Sequence, residues 1–250
     1  MTPRTARRMR GVIGVGIALL IWALVSLSGL VSTQDLPGIP AVAAALAGSS
    51  GEIGASLGTT LSALLAGLAI AAVAGSVLGV AVGLSVWADA ATDVIVRMMR
   101  PLPSLALIPI AILLAGLGIE MTAGLVAFAA FWPVFINARY AARQVEPRLL
   151  DTGRCLGFSR WALVTRIVVP STAPAIATGI RVAVGIATVV TVSVELVAGT
   201  GGLGGYVLAA EQGGSLPQMY AGIVVGGILG WALNQIFAIA SRRVLRWERP

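Results

Sequence analysis

Residues 151–170 read DTGRCLGFSRWALVTRIVVP, a polar, arginine-bearing island in a chain otherwise built of membrane-length apolar runs. Pro147 suits the first turn of a helix, where a missing N–H costs nothing, and Gly157 suits the left-handed position that closes one. The spacing predicts a short helix ending at Leu156, followed by a second one capped by Ser159 that stops before Pro170. Ser171 or Thr172 is then placed to cap a long apolar helix, with Pro174 tolerated near its first turn. Two short helices joined by a glycine hinge, lying on the water side of a membrane, are the expected product.

Outward from the island, the chain divides into spans. An apolar run from Gly11 to Val31 follows Arg4, Arg7, Arg8 and Arg10. About 20 apolar residues make a full crossing rather than a signal-peptide core, so this is expected to be a retained first helix. Residues 32–57 hold Asp35, Pro37, Pro40 and Glu52 and suit an external segment. Gly58 to Val86 is the second span, and Asp89, Asp93, Arg97 and Arg100 form a cytoplasmic turn. The third span reaches Leu117, with Pro101, Pro103 and Pro109 disturbing its cytoplasmic half. The fourth covers Met121 to Asn137, can continue to Ala142, and is kinked at Pro133. Beyond the island come a fifth span, Ala173 to Ala198, a glycine-rich external segment reaching Gln218, and a sixth span, Met219 to Ala240. Six spans with both termini inside leave every arginine except Arg181 on the cytoplasmic side, and the external charges (Asp35, Glu52, Glu120, Glu211) are all acidic.

Composition agrees: 250 residues are 58% hydrophobic and only 11% charged. This is an all-α, polytopic membrane protein, and its net charge of +7 reflects orientation rather than nucleic-acid binding. All 17 basic residues are arginine and there is no histidine. Without lysine there is no P-loop lysine or Schiff base, and without histidine no Ser-His-Asp triad or histidine metal site. The chain is therefore not expected to be an enzyme or to hold a metal or cofactor, and if it pumps, another subunit supplies the energy. Cys155, the sole cysteine, excludes an internal disulfide.

Several features carry two readings each. Gly75, Gly79 and Gly83, and again Gly222, Gly226 and Gly230, lie four apart and predict close helix packing, within one subunit ahead of between two. Arg181 is the one arginine inside a span: either it snorkels to the interface or it is a gate or anion-attracting charge on a pathway. Glu195, about 21 Å further along the same helix, faces a cavity, its external mouth, or the lipid headgroups. Pro101, Pro103 and Pro109 free carbonyls that lipid cannot satisfy, which marks their helix as part of a path or as a kinked packing helix. Residues 199–205, GTGGLGG, contain a formal G-x-G-x-x-G, but lack the strand and helix context of a dinucleotide site.

Asp151, Thr152, Gly153, Gly157, Ile167, Val169 and Pro170 fall at the spacing of the cytoplasmic motif of ABC importer permeases. The usual Glu-Ala-Ala start is Asp-Thr-Gly here, and a helical Gly153 costs roughly 1 kcal/mol against alanine. The flanking PLPSLALIPIAILLAGLGIE (101–120), TGIRVAV, VELVAG and GLGGYV narrow the resemblance to the nitrate, taurine and aliphatic sulfonate type, from about Gly58 onward. The resemblance implies a type I ABC importer permease fold, with an N-terminal part, 1–57, ahead of a five-helix core, 58–250, whose coupling segment is 146–170. It also implies a partner ATPase in two copies carrying ATP and Mg, a second permease subunit forming a homodimer, an extracytoplasmic substrate-binding protein, and residence in the bacterial inner membrane. By the same resemblance the segment 148–161 docks on the ATPase, Asp151 faces a basic residue there, and the 199–205 glycines form a re-entrant turn, against the alternative of a plain flexible loop. A permease for glycine betaine or a thiamine precursor is the nearest competing reading. A secondary carrier would want inverted repeats and coupling-ion residues, and two charges in the spans are few for that.

Overall fold

The computed structural model describes residues 3–28, 32 and 35–244. Arg246, Arg249 and Trp247 lie outside them, as do the side chains of Arg4, Arg7, Arg8 and Arg10. Among the described residues the chain is helical throughout. In order come α1 (Pro3–Leu27), α2 (Ile39–Gly48), α3 (Ser50–Gly83), α4 (Val86–Met99), a 3-10 turn (Ser104–Leu107), α5 (Ile108–Ala115), α6 (Ile119–Arg143), α7 (Pro147–Cys155), α8 (Arg160–Leu163), a π turn (Val164–Val168), α9 (Val169–Ala198), α10 (Gly202–Gln212) and α11 (Leu216–Val244).

The molecule is organised on the pair α3 and α6, which lie side by side and run in the same direction. Gly67 meets Ala123 and Val126, Gly75 meets Val134, Gly79 meets Phe135 and Ala138, and Gly83 meets Arg139 and Ala142. A Cβ on Gly79 would sit 2.6 Å from the Phe135 carbonyl oxygen, so only a bare backbone allows this approach. The first glycine stripe is thus an internal interface, as expected. The second is only partly so: Gly222 abuts Tyr206 and Val207, Gly230 abuts Thr188, and Gly226 faces open space. Antiparallel to this pair, α9 brings Gly179 against Pro133 and Val134. Leu64, Ala71, Met121, Val126, Val134, Ala183, Ala187 and Val194 fill the core between the three helices. The outward faces, including Ile70, Val73, Val77 and Val189, are exposed and apolar, as a lipid-facing surface must be.

Because α3 and α6 are parallel, residues 84–118 must return across the full thickness. They do so brokenly. The expected cytoplasmic turn is instead the 14-residue helix α4, capped by Ser85, whose hydroxyl accepts from the Ala88 N–H at 3.3 Å. The expected straight third span is replaced by an 86° bend between α4 and residues 104–115. Pro103 heads the 3-10 turn and Pro109 starts α5, so each proline sits where a missing N–H is harmless and the helix cannot run through. Among the described residues four helices are long and apolar enough to cross a membrane, or five if the bent pair counts as one span. The described apolar part of α1, Ile13–Leu27, is shorter, so a sixth crossing stays an expectation.

Three further expectations change. The external segment before Gly58 is helical: α2 occupies part of it and α3 begins at Ser50. The glycine-rich stretch after α9 is not a flexible loop: Gly199, Gly201 and Gly202 hold positive φ in a tight turn that leads into α10, whose Leu203, Gly204 and Val207 are buried. Finally, no break occurs at Pro170. Residues 160–198 form one 39-residue helix through the π turn, in which the Val169 N–H reaches back to the Val164 carbonyl. Pro170 has no N–H to give and its ring crowds the preceding turn; the widened turn relieves both constraints and the helix continues. Thr172 is accordingly no cap: it is buried with its hydroxyl on the Val169 carbonyl at 3.1 Å, and Pro174 lies inside α9.

Candidate coupling segment and translocation path

The island folds as its local signals dictate. Pro147 occupies the first turn of α7, Gly157 holds φ +78°, and the Ser159 hydroxyl accepts from the Ala162 N–H at 3.2 Å to start α8. The Phe158 N–H returns to the Gly153 carbonyl at 3.0 Å, closing α7 across the left-handed glycine. Gly153 is the buried contact of α7: a Cβ there would meet the ends of Leu163 and Ile167, so α7 folds back on α8 through a glycine. Asp151 and Thr152 point out. The Asp151 carboxylate accepts from Arg154 at 2.7 Å in an exposed pair, and Thr152 donates to the Arg148 carbonyl. Ile167 is half-buried, while Val169 and Pro170 are exposed. Leu149, Leu156 and Trp161 add a large exposed apolar surface on the same two-helix element. It is an exposed, glycine-hinged hairpin resting on one buried face.

Sequence reasoning missed the residues that anchor α4 beside it. Arg139, 7% exposed near the end of α6, donates from Nε to the Asp89 carboxylate, and its Nη2 reaches the Asp89 carbonyl at 3.0 Å and Asp93 at 3.3 Å. Arg143 holds the other Asp89 oxygen at 2.7 Å, and Asp93 also receives Arg97 at 2.8 Å. Asp89 and Arg139 are fifty positions apart, so no local pattern pairs them. The four charges of the expected turn are therefore not equivalent: two carboxylates fasten α4 to α6, and Arg100 is left without a carboxylate partner among the described residues.

At the opposite end, Glu195 faces neither a cavity nor headgroups; it is 1% exposed. Its Oε2 accepts from the Thr60 hydroxyl at 2.9 Å and from the Gly204 N–H at 3.1 Å, while the Leu203 N–H donates to Thr60 at 2.8 Å. The carboxylate sits on the N-terminal turn of α10, where free N–H groups and the helix dipole favour negative charge. Gly202 and Gly204 leave the room, since a Cβ on either would overlap Glu195. Thus Glu195 latches α10 to α3 and α9.

A cavity of ≈ 440 Å³ opens at the α4–α5 bend, lined by Arg100, Pro103, Ser104, Phe128, Trp132, Ile186 and Val190 among others. A neighbouring one of ≈ 470 Å³ is lined by Asp93, Arg97, Arg100, Pro101 and Arg139. Pro101 and Pro103 thus border open space, while Pro109 is exposed on α5. Arg181 lines neither cavity, although Val182 next to it does; it is exposed and its Nε points to Asn234 Oδ1 at 3.4 Å. A third space, ≈ 610 Å³, separates Gln144, Glu146 and Leu149 from Ser171 and Thr178 at the start of α9.

Comparison with known proteins agrees with this architecture. A family model described as "Binding-protein-dependent transport system inner membrane component" matches residues 71–249. A protein of Escherichia coli (strain K12) named as an aliphatic sulfonates transport permease, SsuC, is 31% identical over 236 residues, 94% of this chain and 89% of that one. Its namesake in Bacillus subtilis (strain 168) is 27% identical over 242 residues, 96% of this chain and 88% of that one. Among solved structures, the inward facing MetNI methionine ABC transporter shares the fold, with a TM-score of 0.58 at 18% identity over 80% of this chain and 95% of its own. The fold is that of a type I ABC importer permease, and the chain belongs to the binding-protein-dependent transport system inner membrane component family, whose members are non-catalytic permease subunits of ABC importers.

Proposed function

We propose that this chain is the membrane permease of an ATP-driven importer of aliphatic sulfonates, and that ATP energy enters it through residues 148–161. Family membership implies a separate ATPase and a substrate-binding protein. The finer reading is two ATPase copies, which hold ATP and Mg, beneath a homodimer of this chain in a bacterial inner membrane, with both termini on the ATPase side. The observation that carries the coupling role is the hairpin α7–α8, exposed on its outer face and hinged at Gly157 with φ +78°. Such an element transmits force when it has two positions, each favoured by a different nucleotide state of its partner. The substrate reading rests on the relatives named for aliphatic sulfonates, which align with nearly the whole chain.

The test is uptake of labelled alkanesulfonate into liposomes holding the chain with its ATPase, in the presence of its binding protein. ATP-dependent accumulation of sulfonate is the expected result. Accumulation of taurine, nitrate, glycine betaine or a thiamine precursor instead would reassign the substrate. Uptake that persists without ATPase and follows an ion gradient would make the chain a secondary carrier. Reporter fusions after Arg148 and Pro250 should read cytoplasmic and those after Glu120 and Gly213 external.

A further inference from the structure

We propose that the cavity at the α4–α5 bend is the head-group subsite for the transported anion. In this assignment Arg100, Ser104 and the Trp132 indole N–H are the donors, and Phe128, Ile186 and Val190 form the wall for an alkyl chain. The inference deepens the sulfonate reading and rests on it.

Depth comes first. Phe128 and Trp132 lie in the middle of the 25-residue α6, and Ile186 and Val190 in the middle of the 30-residue α9, so the cavity sits where lipid offers no hydration. A sulfonate is the anion of a strong acid and stays ionised throughout the crossing. It cannot shed its charge by protonation, so a dry stretch of path needs a fixed cation.

The structure holds one free at the edge of that cavity, on an exposed side chain level with Ile136 and Tyr140 towards the end of α6. Arg97 and Arg139, which line the adjoining cavity, are engaged by Asp93 and by Asp89 with Asp93 respectively. Arg100 lines both cavities and has no carboxylate partner among the described residues. Its place is set by the break: it caps the end of α4 directly before Pro101, at the corner of the 86° bend. The Asp89 clamp on Arg139 and Arg143 fixes α4, and Asp93, the carboxylate that lines the adjoining cavity with Arg100, is taken up by Arg97 and Arg139.

Trp132 supplies the second sign. Its Nε1 is buried without a hydrogen-bond partner, and it belongs to a side chain lining the cavity. An unmet buried donor costs free energy, which a ligand acceptor recovers when the indole turns to open this nitrogen to the cavity. A sulfonate presents three acceptor oxygens, enough for the guanidinium, the Ser104 hydroxyl and the indole together. The volume, ≈ 440 Å³, lies in the range of small-ligand pockets, and the apolar remainder of the lining suits an aliphatic tail.

The experiment is uptake of methanesulfonate and octanesulfonate by the full complex in liposomes, for wild type, Arg100→Gln, Arg100→Lys, Trp132→Phe, Ser104→Ala and Ile186→Phe, each checked for assembly with the ATPase. Arg100→Gln should lower uptake of both substrates about tenfold or more, with Arg100→Lys recovering part of the loss. Trp132→Phe, which keeps the ring and removes the N–H, should cost roughly threefold to tenfold. Ile186→Phe, which narrows the wall, should impair octanesulfonate more than methanesulfonate. If wild type imports no sulfonate, the functional reading and this subsite fail together. If wild type imports sulfonate and an assembled Arg100→Gln complex stays within twofold of it, the subsite alone is overturned and Arg100 is a lipid headgroup contact. Should Arg100→Gln fail to assemble, unchanged uptake by both Trp132→Phe and Ser104→Ala, with no chain-length effect in Ile186→Phe, overturns it equally.

Discussion

Replacing Gly79 by alanine adds one methyl group at the closest point of α3 and α6. Its Cβ would lie 2.6 Å from the Phe135 carbonyl oxygen and 2.7 Å from the Ala138 Cβ. Neither obstacle is the end of a flexible side chain, so the helices themselves must part by about 0.8 Å to restore ordinary contact near 3.4 Å. Overpacking of this kind costs about 1–3 kcal/mol. Parting is resisted along the whole seam, because Gly67 and Gly83 are seated as tightly and Gly75 nearly so, which places the expected loss in the upper half of that range. Gly226, with the same four-residue spacing in its own helix, is the control, since a Cβ there meets nothing within 4 Å. Thermal unfolding of the purified chain in detergent, followed by far-UV circular dichroism, should show Gly79→Ala melting several degrees below wild type and Gly226→Ala matching it. Equal melting of the two variants would refute the reasoning, for it would mean that the α3–α6 approach is not the close one described.

Gly157→Val should abolish binding-protein-stimulated ATP hydrolysis in a complex that still reaches the membrane. A β-branched residue is strained at φ +78°, whereas Gly157→Asn, which tolerates that region, should keep most activity. Asp151→Ala should give only a partial loss of ATPase co-purification, because an exposed charge contact is worth about 0.2–1 kcal/mol. Arg139→Ala leaves Asp89 buried with Arg143 as its remaining cation and should cost about 1–3 kcal/mol, against about 0–1 for the exposed Arg97→Ala; chemical denaturation of both variants measures the contrast. Glu195→Ala removes the acceptor for the Gly204 N–H and the Thr60 hydroxyl, a loss of about 1–3 kcal/mol, and hydrogen exchange should show the amides of Leu203 and Gly204 losing protection first.

The island was legible because its instructions are local. Pro147, Gly157 and Ser159 act on their own few residues, and each does in the structure what its chemistry requires. Pro170 was misread because a proline signals a strained turn without saying how the strain is relieved; here a π turn relieves it and no new cap is needed. The candidate path was less legible. Arg181 stood out by lying alone in an apolar run, yet the free cation at a cavity is Arg100, which sequence grouped with its charged neighbours. The distinction depends on Asp89 and Asp93 being spent on Arg139 and Arg143, about fifty positions away. Glu195 was misplaced for the same reason, since its partner Thr60 is 135 positions earlier. Glycine spacing likewise defines a face and not what covers it, which is why two identical stripes met different fates.

The uninterrupted helix from Arg160 to Ala198 has a mechanical consequence. Thirty-nine residues make a rod about 58 Å long, with the hairpin at one tip and, near the other, the carboxylate that grips α10. Pivoting such a rod by about 5° about its midpoint swings each tip through roughly 2.5 Å in opposite senses. If the helix pivots as one body under the proposed push on α8, the first turn of α10 receives a stroke of equal size and reversed direction, with no relay of side chains between them.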